Sequence, residues 1–224
     1  MDPYKLRTHK DPLALALMAE YPGVLMPRLG ITDNDAEDLI SYLEAQSARL
    51  DAEQIRSRVP KAEIGGSFTL IDHHGKSVTD RDYLGKPTLV FFGFTSCPDI
   101  CPTTLLELSN VLQELKSHAD QLNVLFITVD PDRDTPQRLA LYLSSFDHRI
   151  IGLSGTRENV AAAMTAYHVH AAEVRLEDGG YTMDHTATIN MMDSKGKYVG
   201  TMSHQEAEAS MGAKLRHLLE SAHL

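Results

Sequence analysis

Pro87-Thr88-Leu89-Val90-Phe91-Phe92-Gly93-Phe94-Thr95-Ser96-Cys97-Pro98-Asp99-Ile100-Cys101-Pro102 carries a continuous apolar run straight into the chain's two cysteines. The run reads as a buried strand that ends in a turn. Downstream, Leu105, Leu108, Val111, Leu112 and Leu115 recur at three- and four-residue spacing, which predicts a helix from about Thr103 to Lys116. Cys97 and Cys101 are therefore expected at a strand-to-helix junction, where unpaired amides and the positive end of the helix dipole favour thiolate over thiol. On a helical turn, residues four apart have β-carbons roughly 5–6 Å apart, close enough for two sulfurs to share a metal ion. The same pair could close a strained, reducible disulfide, or simply pack in the core as buried cysteines often do. The spacing has one residue more than the Cys-x-x-Cys redox motif.

Working outward, the best candidate for a third ligand is His185, in Tyr181-Thr182-Met183-Asp184-His185-Thr186-Ala187-Thr188-Ile189-Asn190, with Asp184 or another carboxylate available to orient the ring. From the residues alone, a lone histidine is more often a surface or satisfied core residue than a ligand, and its position beside a strand does not overturn that. With 31 acidic against 21 basic residues in 224, the formal charge of -10 opposes binding to nucleic-acid phosphates or anionic lipid. The longest apolar stretch, Leu13 to Ala19, is far below the roughly 20 residues of a bilayer crossing, and no signal peptide or anchor is visible. Two cysteines exclude a multi-disulfide scaffold.

The run Phe92 to Pro102 closely resembles the copper-site motif of the Sco/SenC family of copper chaperones for cytochrome c oxidase. Further matches follow in order: Val129-Asp130-Pro131-Asp132-Arg133-Asp134-Thr135-Pro136, then Ile151-Gly152-Leu153-Ser154-Gly155-Thr156, then Tyr181 through His185 and Ile189 to Gly196. The resemblance covers roughly Val59 to Leu224. It implies a thioredoxin-like α/β fold, a central mixed sheet flanked by helices, in which Cys97, Cys101 and His185 bind one copper ion, Cu(I) or Cu(II). It implies delivery of copper to the binuclear centre of cytochrome c oxidase, with that enzyme's copper-accepting subunit as partner. The alternative is reduction of the centre's cysteines by a thiol-disulfide oxidoreductase, Cys97 attacking and Cys101 resolving; other thiol-disulfide oxidoreductases would then be partners as well. It also implies a periplasmic or membrane-anchored location facing the periplasm, any membrane contact being made through an anchor not present in these residues. Peroxiredoxins place a threonine three residues before the reactive cysteine; here that residue is Phe94, and Thr95 is one place off, which disfavours peroxidase chemistry.

Two segments are expected, 1–58 and 59–224. In the second, strands are predicted at Phe68–Ile71, Leu89–Phe94, Val124–Val129, near Ile150, at Thr186–Met192 and at Tyr198–Met202. Helices are predicted from Thr103, at Pro136–Phe146, Arg157–Tyr167 and Gln205–Leu219. In the first, Thr32 with Asp35 resembles a capping box ahead of the stripe Ala36, Leu39, Ile40, Leu43. Tyr21 to Gly30, with Met26 before Pro27, resembles the C-terminal part of a class I cytochrome c. No Cys-x-x-Cys-His is present for covalent haem attachment, and Met26 is expected to pack as an ordinary residue. His73-His74 and His168-x-His170 are expected to be solvated. Met183, Met191 and Met192 are expected to fill core gaps. Asp130 and Asp134 read either as carboxylates near the site or as turn caps.

Overall fold

The computed structural model describes residues 64–176, 179–204 and 206–221. The expected helical segment 1–58, its cytochrome-like stretch and Met26 lie outside these residues. Among the described residues, no helix is long and apolar enough to cross a membrane.

The apolar run becomes β3 (Thr88–Gly93), buried at every position, as a central strand covered on both faces must be. It pairs in parallel with β4 (Asn123–Thr128), which pairs in parallel with β5 (Ile150–Ser154). Antiparallel strands extend this core on both sides. β8 (Thr188–Met192) and β9 (Tyr198–Ser203) lie beyond β3, while β1 (Thr69–Asp72) and β2 (Ser77–Thr79) lie beyond β5. The result is a seven-stranded mixed sheet in the order β2-β1-β5-β4-β3-β8-β9.

Helices α1 (Ile100–Leu115) and α2 (Pro136–Leu143) are the crossovers β3-α1-β4 and β4-α2-β5. Both connections step the same way along the sheet, so right-handed crossing puts both helices on one face. There Phe91 meets Phe126, and Phe126 meets Tyr142 of α2. Helix α4 (Glu208–Ser221) packs against α1. The next residue of β3, Phe92, points the other way and meets Tyr167, the C-cap of α3 (Arg157–Ala166), so helices cover both faces as the sequence order predicts.

The chain departs from expectation where tertiary contacts outweigh local pattern. Helix α1 begins at Ile100 rather than Thr103, because Pro102 falls in the first turn, where a missing amide leaves no helical bond unmade. Helix α2 ends at Leu143, three residues short of Phe146. Strand β2 was not anticipated, nor were β6 (Ala171–Arg175) and β7 (Tyr181–His185), which pair with each other as a separate antiparallel ribbon outside the main sheet. The strand expected over Thr186–Met192 begins only at Thr188, since β7 runs through His185 and two residues link the ribbon to the main sheet.

Candidate metal centre

The cysteines occupy different kinds of backbone. Cys97 lies in the loop after β3, and Cys101 is the second residue of α1, so the pair does not share a helical turn as the spacing suggested. The helix uses Cys97 in place of a capping side chain. The N-cap Asp99 makes no side-chain cap, whereas the Cys101 amide donates to Cys97 Sγ at 3.4 Å. A sulfur that accepts from a helix's first-turn amide is stabilised as thiolate.

The two thiols are driven apart in acidity. The Cys97 thiol is lowered to about 3, chiefly by the hydrogen bond from the Cys101 thiol; burial opposes the shift, and His185 and the Cys101 and Asp99 amides reinforce it. Cys101 is pushed up because its proton is the one donated to Cys97 and because it is buried. Cys97 is thus a half-exposed thiolate beside a fully buried thiol.

Room for Cys101 comes from Gly93, the last residue of β3. A Cβ there would stand 2.7 Å from Cys101 Sγ and 2.6 Å from Phe126 Cε2, closer than real contacts allow. The loop carrying Cys97 is held by Asp134, a carboxylate with no exposure. It accepts from the Thr95 amide at 2.9 Å, the Thr95 hydroxyl at 2.6 Å and the Thr128 hydroxyl at 2.7 Å. Arg138 of α2 then donates from Nε to Thr95 Oγ1 at 2.9 Å.

His185 arrives from the end of β7, 84 residues beyond Cys101, with Nε2 3.7 Å from Cys101 Sγ. Its Nδ1 lies 3.0 Å from the Thr186 carbonyl, which can only accept, so Nδ1 carries a proton and Nε2 faces the sulfurs. The orienting group is this carbonyl rather than Asp184. The ring stands edge-on to Phe94, centroids 5.7 Å apart at 86°. Burial lowers the His185 pKa, but the Cys97 sulfur and the Thr186 carbonyl outweigh it, and the net shift is upward. Cys97 Sγ, Cys101 Sγ and His185 Nε2 all lie within 4.8 Å of one another.

The other singled-out residues sort as follows. Met191 and Met192 are buried in the core and Met183 packs against it, as expected. His168 and His170 are exposed. His73 departs from the expected solvated role, its Nδ1 accepting the Gly152 amide at 2.8 Å. Asp134 braces the Cys97 loop, and Asp130 pairs with Arg133 and accepts from Tyr181. Gly93 was the one missed residue with a visible sequence signal, since a glycine inside a strand pattern marks close approach of another group. Arg133 and Tyr181 lie 48 residues apart, and nothing in local sequence relates them.

The sequence model of the SCO1/SenC family matches residues 56–220. The chain belongs to the SCO1/SenC family. It is 37% identical over 151 residues to Protein sco1 of Schizosaccharomyces pombe, covering 66% of this chain and 57% of the relative. It is 35% identical over 173 residues to the human mitochondrial SCO1 homolog, covering 76% and 57% respectively. The chain thus spans a little under three-fifths of the length of these curated relatives. Among solved structures it is similar to Bradyrhizobium japonicum ScoI with copper bound, at TM-score 0.66 and 48% identity over 69% of this chain and 99% of that one. It is similar also to yeast Sco1 with copper bound, at TM-score 0.66 and 36% identity, covering 71% and 90%. The family's thioredoxin-like architecture accounts for the mixed sheet and its flanking helices.

Proposed function

We propose that this protein binds one copper ion through Cys97, Cys101 and His185 and delivers it to the binuclear copper centre of cytochrome c oxidase during assembly. The observation that carries this reading is the convergence of two sulfurs and one imidazole nitrogen within 4.8 Å of one another. Soft thiolates select Cu(I), and the imidazole completes a three-coordinate set that leaves a side open for a partner's ligand or for Cu(II). With both thiols ionised the loaded site carries a charge near minus one, favoured by the helix amides that already face Cys97. Copper-bound relatives at 48% and 36% identity support the choice of metal. The copper-accepting oxidase subunit is the partner, and residues 59–224 are the copper-handling domain. The site of action is the periplasmic face of the membrane.

The test is a titration of the fully reduced protein with Cu(I) against a competing chelator, for the parent and for His185→Ala. One tight equivalent that weakens sharply in the variant is expected; unchanged affinity would remove His185 from the site.

A second reading rests on the asymmetry of the thiols, a low-pKa, half-exposed Cys97 beside a buried, protonated Cys101. This suits a dithiol reductase. The Cys97 thiolate attacks one sulfur of a partner disulfide and releases the other as a thiolate. Cys101 then loses its proton and attacks Cys97 Sγ, freeing the second partner thiol and leaving a Cys97–Cys101 disulfide that an external dithiol must reduce. In this role His185→Ala leaves exchange largely intact.

A further inference from the structure

We propose that Asp130, Arg133 and Tyr181 form a clamp that docks the β6–β7 ribbon onto the body of the protein and thereby positions His185 over the two thiols. The proposal rests on the copper reading above and adds positioning residues to it.

The ribbon needs such a device because it is not hydrogen-bonded into the seven-stranded sheet. Its strand β7 starts at Tyr181 and ends at His185. At about 3.3 Å per strand residue, fixing Tyr181 sets where His185 lies roughly 13 Å further along. Tyr181 is gripped at three points from the loop that follows β4. Arg133 Nη1 donates to the Tyr181 carbonyl at 2.8 Å, the guanidinium carbon lies 3.7 Å from the Tyr181 ring centroid, and the Tyr181 hydroxyl donates to Asp130 Oδ1 at 3.0 Å. Arg133 Nε also pairs with the Asp130 carboxylate, which is itself 4% exposed. The Asp130 amide donates to Thr128 Oγ1 at 2.9 Å, and Thr128 is bonded to Asp134, so the clamp shares an anchor with the Cys97 loop.

A second path leads from Arg133 to the histidine. The guanidinium carbon lies 5.9 Å from the Phe94 ring centroid, and Phe94 in turn meets His185 edge-on. Arg133 therefore contacts both the start of β7 and the ring against which the far end of that strand rests. Its Nη2 is buried without a hydrogen-bond partner, so the guanidinium is held by its stacking surface and its remaining donors. A lysine ammonium would keep the charge but lose the planar face and the fork that bridges Asp130 to the Tyr181 carbonyl.

A clamp that acts through His185 makes a prediction that a general packing role does not. Cu(I) affinity is measured by chelator competition for the parent, Arg133→Met, His185→Ala and the double variant. Arg133→Met should weaken binding by about tenfold in the parent background, the scale of an outer-shell partner, and add nothing when His185 is already absent. Equal losses in both backgrounds would overturn the proposal. The metal-free readout is amide hydrogen exchange. Exchange at Thr182–Thr186 should quicken in Arg133→Met while β3 and β4 keep the parent rates, and unchanged ribbon exchange would also overturn the proposal. Should Arg133→Met fail to fold, Tyr181→Phe removes only the hydroxyl bond to Asp130 and is expected to give the same pattern at smaller amplitude; parent behaviour in both readouts would then overturn it. If His185→Ala alone leaves Cu(I) affinity unchanged, the copper reading fails separately, and ribbon exchange still decides whether the clamp docks it.

Discussion

The two halves of the candidate site are built by opposite means. The β3–α1 junction is locked: Cys101 is fully buried, Gly93 makes space for its sulfur, and Asp134 ties Thr95 down with bonds to amide and hydroxyl. The β6–β7 ribbon is half-exposed along most of its length and carries one ligand at its end. Rigid thiols beside a histidine on a separately held ribbon make a three-ligand site in which one ligand can yield while two keep hold. That division suits a protein that must both retain a metal and surrender it.

The largest effect should come from the locked half. Cys101→Ser removes a ligand outright and should weaken Cu(I) binding by more than about 100-fold, beyond the usual range for an outer-shell change. Competition against a chelator measures it, and a loss no greater than that for His185→Ala would erase the asymmetry between the halves. Next is Asp134→Ala, which leaves the buried Thr128 hydroxyl and the part-buried Thr95 amide and hydroxyl without their acceptor. A buried group left unfilled costs about 1–3 kcal/mol before relaxation and the part-buried pair less, so thermal unfolding should shift down by several degrees. Gly93→Ala pushes a methyl into Cys101 Sγ and Phe126. It should cost about 1–3 kcal/mol as overpacking and weaken copper binding in parallel, read by denaturant unfolding and by the same competition.

Protonation sharpens the contrast further. Near neutral pH Cys97 is already a thiolate, Cys101 holds its proton, and His185, shifted upward, holds a fraction of one. Copper loading should therefore release between about one and two protons near pH 7. The number should fall toward one as pH rises and His185 deprotonates beforehand. Calorimetry in buffers of different ionisation enthalpy counts them, and a release above two would mean that Cys97 is not a thiolate. The smallest effect belongs to the ribbon's outer face. Val174→Ser, at a side chain 44% exposed, should change stability by less than about 0.5 kcal/mol in denaturant unfolding.

Much of this was legible in the chain. The unbroken apolar run Leu89–Phe94 could only be a strand covered on both faces, and the leucine spacing after it marked α1. A cysteine pair between them had to meet the amides of a helix start. The ordered family motifs drew His185 into the same reading, although its residue context alone left the choice open. The ribbon was not legible, because Ala171–Arg175 is partly or wholly exposed and lacks the alternation by which a strand is recognised.

The sequence by itself determined the parallel core, the strand-to-helix junction and the thiol pair, since these depend on hydrophobic period and on neighbours within a few residues. Only the tertiary structure decided how strongly burial separates the two thiols, which group orients His185, and how the ribbon is held. Those outcomes depend on burial and on contacts such as Arg133 with Tyr181 and Asp134 with Thr95, 48 and 39 residues apart, which exist only once the chain has folded.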